Sequence, residues 1–145
     1  MPENLSELLY NLTEGDSNAV IFMRDIWYAA QVWDDTVDKE EKISTHDAFY
    51  VLSSKIPSNP FYQDNIHSLV PMINQVILDW KVANHFESEK IELDKAYMLR
   101  AGLYRLFHHC ILLSKGFVLA EQAGIILWKF YGETLEDFKK EILNA

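Results

Sequence analysis

The sequence predicts an all-α fold, a single compact bundle of about six or seven helices. Apolar residues recur at helical spacing along the chain, and no segment keeps the two-residue alternation of a strand. Five glycines and four prolines in 145 residues are too few for a turn-rich β protein. The chain has the length of one ordinary domain and contains no repeat or linker, so we expect residues 1–145 to form a single domain.

Caps and breaks delimit the predicted helices. In chain order these cover about 5–12, 18–39, 44–55, 61–89, 93–115, 117–131 and 134 onwards. Their N-caps are predicted at Ser17, Ser44, Asn59 and Thr134. A charged turn is expected over 39–43 and a loop over 56–60, and Pro71 should kink or split the fourth helix. The sixth helix is apolar nearly all round, so we expect it at the centre of the bundle.

Composition excludes several function classes. A formal net charge of −9 repels phosphate backbones, which argues against nucleic-acid binding and suits a basic partner protein. No apolar stretch reaches the roughly 20 residues that span a bilayer, so we expect no membrane insertion. The first residues lack the basic start and apolar run of a signal peptide. Cys110 is the only cysteine, so the chain has no internal disulfide. A soluble, cytoplasmic protein is the expectation.

Three carboxylates close the second predicted helix, at Asp34, Asp35 and Asp38. At 3.6 residues per turn they fall within one arc of the helix, together with Trp27, while Trp33 falls on the side that should face the core. Carboxylates one turn apart can hold a hard cation such as Mg²⁺ between their oxygens. Two interpretations stay open. The aspartates bind a metal ion, or they lie in water at the helix end, where nearby lysines offset part of the repulsion between the carboxylates.

The run from Asp34 to Asp38 matches the Asp-Asp-x-x-Asp motif, and its helix resembles the first aspartate-rich helix of class I isoprenoid synthases, in the squalene and phytoene synthase branch. The resemblance implies an all-α fold in which these aspartates bind Mg²⁺ that grips a substrate diphosphate. It also implies a second acidic motif, whose nearest counterpart is Asn84 with Glu87, and a basic contact for the diphosphate. Arg100 with Tyr104, on one face of the fifth predicted helix, is the best candidate for that contact.

Two functions are therefore expected. The first is a non-catalytic interaction or regulatory module that binds a protein partner or forms a homodimer through surplus aromatic surface. Short, acidic and aromatic-rich chains of this kind resemble many small bacteriophage-encoded proteins. The alternative is a Mg²⁺-dependent diphosphate-binding protein or reduced isoprenoid-synthase-like enzyme, in which the aspartate face lines a cavity shared with the fourth and fifth helices. No catalytic residue is assigned, and no cofactor other than Mg²⁺ is expected.

Overall fold

The computed structural model describes residues 1–38 and 44–145, and within these ranges the chain is helical with no β-strand. The helices are α1 Glu3–Leu12, α2 Ser17–Val37, α3 Thr45–Tyr50, α4 Ile56–Ser58, α5 Pro60–Glu89, α6 Leu93–Arg100, α7 Gly102–Lys115, α8 Phe117–Phe130 and α9 Leu135–Leu143. The predicted all-α class is confirmed. The charged turn expected over 39–43 lies outside the described residues.

The main core forms where α1, α2, α5 and α7 meet. Phe22 of α2 is fully buried and packs against Phe61 and Tyr62 of α5, with ring centroids 6.0 and 5.4 Å apart. Phe107 of α7 is also fully buried, and Trp27 of α2 stacks on it at 6.3 Å. Burial of one such side chain contributes about 1.5–3 kcal/mol. The apolar stripe of α2 therefore fixes this helix between α5 and α7.

Helix α8 does not occupy the centre that its composition predicts. Its buried side is made of small residues and one leucine, namely Ala120, Ala123, Gly124 and Leu127. Phe117, Val118 and Ile125 point outward with 75, 68 and 61% of their surface exposed. The small side lets α8 lie close to α7, where His108 Nε2 lies 2.7 Å from the Ala120 carbonyl oxygen. Hydrophobicity all round a helix thus indicated an apolar outer face and not a central position.

The predicted fifth helix is broken in two at Ala101, whose φ and ψ of −78° and 15° are not helical. The Arg100 carbonyl oxygen at this break accepts a hydrogen bond from Trp80 Nε1 at 3.2 Å. Gly102 then begins α7 against α5, so closely that an added Cβ would lie 3.1 Å from Val76 Cγ1. The long-range contact with α5 thus overrides the local helical periodicity.

Helix α5 is irregular at Asn65 and continues through Pro71. Asn65 has φ −123° and ψ 16°, and its side-chain amide donates to the Phe61 carbonyl oxygen at 2.9 Å. The expected kink is therefore displaced by six residues towards the N-terminus, to a residue whose side chain replaces a backbone hydrogen bond.

The segment before α5 is more helical than predicted. A π-helical turn over Val51–Lys55 follows α3, and α4 occupies most of the expected loop. Lys55 Nζ lies 3.1 Å from the buried Asp25 Oδ1, which fastens this turn to α2. Because the turn is held there, Leu52 reaches the groove described below.

Three of the four predicted N-caps are confirmed. Ser44, Asn59 and Thr134 accept hydrogen bonds from backbone amides three residues ahead. Helix α2 is capped one residue earlier than predicted, since Asp16 Oδ1 accepts from the Ala19 amide at 3.2 Å. No helix in the described part of the chain is long and apolar enough to cross a bilayer.

The contact between α7 and α8 yields a stability prediction. A Cβ at position 124 would lie 2.5 Å from His108 Nε2, so Gly124→Ala must displace the ring and its contact with the Ala120 carbonyl. We expect a net loss of about 1–2 kcal/mol, even though alanine favours helices. Urea unfolding of the variant measures this loss. Gly132→Ala, in the connection between α8 and α9, is the control for the added methyl group, because a Cβ there meets only one backbone oxygen, at 3.9 Å. Equal stability of the two variants would contradict the packing argument.

Candidate functional site

The aspartate-bearing end of α2 is helical, as the shared-face argument requires. The helix extends through Val37, and Asp38 is its C-cap, with an amide that donates to the Asp34 carbonyl at 2.9 Å. Asp34 and Asp38 therefore follow one another along one side of the helix, one turn apart. Both carboxylates therefore lie on the side of α2 that faces α5 and α6.

A cavity of about 340 Å³ lies at this end of α2. Its described lining consists of Trp33, Asp34, Val37, Asp38, Trp80, Asn84, Glu87, Arg100, Glu133, Phe138, Glu141 and Ile142. It brings together five of the seven site residues predicted from the sequence, namely Asp34 of α2, Asp38 at the C-cap of α2, Asn84 and Glu87 of α5, and Arg100 of α6. The aspartate face thus lines a cavity shared with the helices on which the remaining candidates were predicted.

Asp35 and Tyr104 are not among the described residues that line this cavity. Asp35 follows Asp34 by one residue, which turns its side chain about 100° around the helix axis. Tyr104 lies beyond the break at Ala101, and its ring packs against Tyr131 at 4.9 Å. Burial there raises the pKa of Tyr104. The predicted partnership of Arg100 and Tyr104 relied on one unbroken helix, so the break separates them.

Arg100 organises the polar wall of the cavity. Its Nε donates to Glu87 Oε2 at 2.7 Å, and its Nη2 contacts both Glu87 Oε2 and Asn84 Oδ1. The guanidinium carbon also lies 5.6 Å from the centre of the Trp80 ring, in cation–π range. The Glu87 side chain is only 13% exposed, so this pairing neutralises a carboxylate that water barely reaches.

Two further carboxylates, Glu133 and Glu141, enter the cavity from the C-terminal part of the chain. Burial, followed by repulsion from Glu141, raises the pKa of Glu133, while Arg100 opposes the rise. Sequence reasoning missed both residues. The available signal was the amphipathic pattern of α9, which predicts a docked helix but not the face on which it docks.

The cavity is strongly acidic. Its described lining holds five carboxylates, at Asp34, Asp38, Glu87, Glu133 and Glu141, against the single guanidinium of Arg100. Within the described residues, Asp38, Glu133 and Glu141 make no ion pair. These three carboxylates attract cations and repel anions.

The metal-binding potential is limited in the residues that the structure describes. Carboxylate and amide oxygens of the kind that Mg²⁺ prefers line the cavity on Asp34, Asp38, Asn84 and Glu87. Across 1–38 and 44–145, however, no three His, Cys, Asp or Glu side chains are grouped so that they could hold a metal ion. Glu87 already accepts from Arg100, which lowers its availability as a ligand.

An apolar groove of about 490 Å³ adjoins the acidic cavity. It runs between α2, α5 and α7, and its described lining is Ile26, Ala29, Ala30, Trp33, Leu52, Ile73, Val76, Ile77, Trp80, Lys81, Leu103 and Leu106. Trp33 and Trp80 belong to both sites, with ring centroids 4.8 Å apart and planes tilted by 45°. The tryptophan pair is therefore a shared wall between an acidic and an apolar compartment.

Trp27 does not take part in either compartment. The helical wheel placed it on the aspartate face, but its ring stacks on the core residue Phe107. The tryptophan that matters for the site is Trp33, which the same wheel assigned to the core. Both rings are half-buried, so the division into a core face and an aspartate face is less sharp than the wheel implies.

No protein-family model, curated protein or solved structure matches this chain. The resemblance of the aspartate helix to isoprenoid synthases consequently remains a prediction from the residues of that helix. The roles assigned to the site below are argued from its geometry and charge.

Arg100 should stabilise the fold mainly through Glu87. Arg100→Met leaves that carboxylate poorly hydrated and unpaired, for an expected loss of about 2–3 kcal/mol. Glu87→Gln removes the charge that needs pairing, so the double variant should be more stable than the sum of the single losses by about 1–2 kcal/mol. Urea unfolding of the four proteins measures this coupling. Additive losses would show that the guanidinium acts through some other contact.

Proposed function

We propose that the protein is a non-catalytic interaction module that binds a segment of a partner protein through the acidic cavity and the apolar groove together. The segment would carry a lysine or arginine next to apolar side chains. The observation that carries this proposal is the shared wall of Trp33 and Trp80, which places the two compartments side by side. One ligand can therefore occupy both at once.

The negative charge of the cavity supports the proposal that a basic group of the ligand binds there. Asp38, Glu133 and Glu141 line it without an ion pair to any described residue. Burial, followed by repulsion from Glu141, raises the pKa of Glu133. An incoming ammonium or guanidinium would relieve that repulsion. The tryptophan faces at the cavity wall add a surface over which such a cation is attracted.

The groove supports apolar side chains beside the basic one. Among its described lining residues only Lys81 is charged, and Leu52 and Ile77 are 49 and 38% exposed although they belong to an apolar surface. Each large side chain buried there contributes about 1.5–3 kcal/mol. An amphipathic helix or short extended segment lays its apolar residues into such a groove in many regulatory complexes.

A peptide-binding experiment tests this function. We would select a random 12-residue display library on the wild-type protein and measure the affinity of the enriched peptides. We expect enriched peptides to combine a basic residue with neighbouring apolar ones. Asp38→Asn/Glu141→Gln should weaken their binding about tenfold at low salt and much less at high salt, because screening acts on the same charges.

Two variants complete the design. Ile77→Ser should weaken binding by a similar, salt-independent factor, since it removes apolar contact in the groove. Glu3→Gln/Glu7→Gln makes the same charge change on α1, away from both compartments, and should leave affinity unchanged. Enrichment of peptides without basic residues, or equal binding by all variants, would reject the proposal.

A Mg²⁺–diphosphate site is the second candidate. It is favoured by one observation, that Asp34 and Asp38 line the same cavity as Asn84, Glu87 and Arg100. In this function the carboxylates would hold Mg²⁺, which would neutralise diphosphate oxygens, and Arg100 would contact the diphosphate. The engagement of Arg100 by Glu87, together with the additional charges of Glu133 and Glu141, weighs against an anionic ligand.

Thermal unfolding with millimolar Mg²⁺ and pyrophosphate separates the two candidates. A diphosphate site would stabilise the wild-type protein by about 2.7 kcal/mol at a hundredfold excess over Kd, and Asp34→Asn/Asp38→Asn would abolish the rise. The peptide-binding function predicts no rise with this pair of ligands. Mg²⁺ alone serves as the control for a general effect of divalent cations on an acidic protein.

A further inference from the structure

The outer face of α8 is an exposed apolar stripe that neither compartment uses. Val118, Gln122 and Ile125 lie along it at helical spacing, flanked by Phe117 and Ile126. Val118 and Ile125 are 68 and 61% exposed. A small protein rarely leaves several large apolar side chains together on one helix face unless another surface covers it.

The charges of α8 are arranged symmetrically on this stripe. Glu121 and Lys129 are the only charged residues of the helix, both are exposed, and each lies four residues from Ile125. At 1.5 Å per residue, each is about 6 Å along the helix axis from Ile125, in opposite directions. Within the described residues neither makes an ion pair.

We propose that this face binds a second copy of the chain, with the two α8 helices antiparallel about a two-fold axis at Ile125. In this arrangement Ile125 meets its own counterpart. Glu121 of each protomer lies at the level of the other protomer's Lys129, so both ends of the contact are closed by opposite charges. A parallel arrangement would instead place like charges opposite one another.

The small residues on the inner side of α8 support the same assignment. The helix packs closely on α7 through Ala120, Ala123 and Gly124. Its outer face therefore has a fixed position relative to the core. No α8 residue is among the described lining of the acidic cavity or the apolar groove, so the proposed contact uses neither compartment. The self-association is therefore independent of the proposed peptide-binding function.

Sedimentation equilibrium over a range of protein concentrations at 150 mM salt tests the proposal. The wild-type protein should form a dimer, and Ile125→Glu should raise its Kd by about a hundredfold, since the change occurs twice at the axis. Glu121→Lys or Lys129→Glu alone should weaken the dimer about tenfold by placing like charges opposite each other. The double variant E121K/K129E should restore the wild-type Kd.

Leu78→Glu is the control, because Leu78 is a similarly exposed residue, 56% accessible, on α5. It should not alter the dimer. Circular dichroism would verify that every variant keeps its helical content, which is expected since all the altered residues are exposed. A wild-type monomer at all concentrations, a dimer unaffected by Ile125→Glu, or a double variant as weak as the single ones would overturn the proposal.

Discussion

The pairing of Arg100 with Glu87 and Asn84 is the constraint on which the candidate site depends. Three elements of the site meet at this arginine: α5 through Glu87 and Asn84, the end of α6 through its backbone, and the tryptophan wall through Trp80. Glu87 is nearly buried, so the guanidinium satisfies a charge that would otherwise destabilise the fold by several kcal/mol. Next to this contact α6 ends, and α7 begins with Gly102 close against Val76.

The connection between α5 and α6 shows why contacts such as the pairing of Arg100 with Glu87 are needed. Lys90 and Glu92 have left-handed backbone conformations, with φ of 55° and 49°, which non-glycine residues adopt at a cost of about 1 kcal/mol each. A tight reversal of this kind must be held by contacts further along the helices. The bond from Trp80 to the Arg100 carbonyl and the ion pair of Arg100 with Glu87 supply them, and Arg105 of α7 forms a second pair with Asp79 of α5.

Sequence reasoning reached the parts of the site that depend on one helix face. Asp34 and Asp38 were placed together because they are four residues apart, and Asn84 with Glu87 because they are three apart. Contacts between segments that are far apart in the sequence could not be predicted from helical spacing. Glu141 lies on α9 and Glu133 just before it, so both reach the cavity through the return of the C-terminal segment. The break at Ala101 leaves Tyr104 outside the cavity and lies next to Gly102, which is close to Val76. The central position expected for α8 failed for a related reason, since periodicity reports which positions are apolar and not which of them another element covers.

In the proposed function, the acidic cavity would also link the stability of the fold to binding. Burial, followed by repulsion from Glu141, raises the pKa of Glu133, so the folded state disfavours the charged form of this carboxylate. Arg100 is engaged by Glu87 and can offset only part of that repulsion. A cationic side chain from a partner would enter a space whose charge is already unfavourable, so its binding would be strengthened by the relief of repulsion as well as by its own contacts. Because Trp33 and Trp80 line both the acidic cavity and the apolar groove, the proposed function favours a ligand that is basic at one end and apolar at the other.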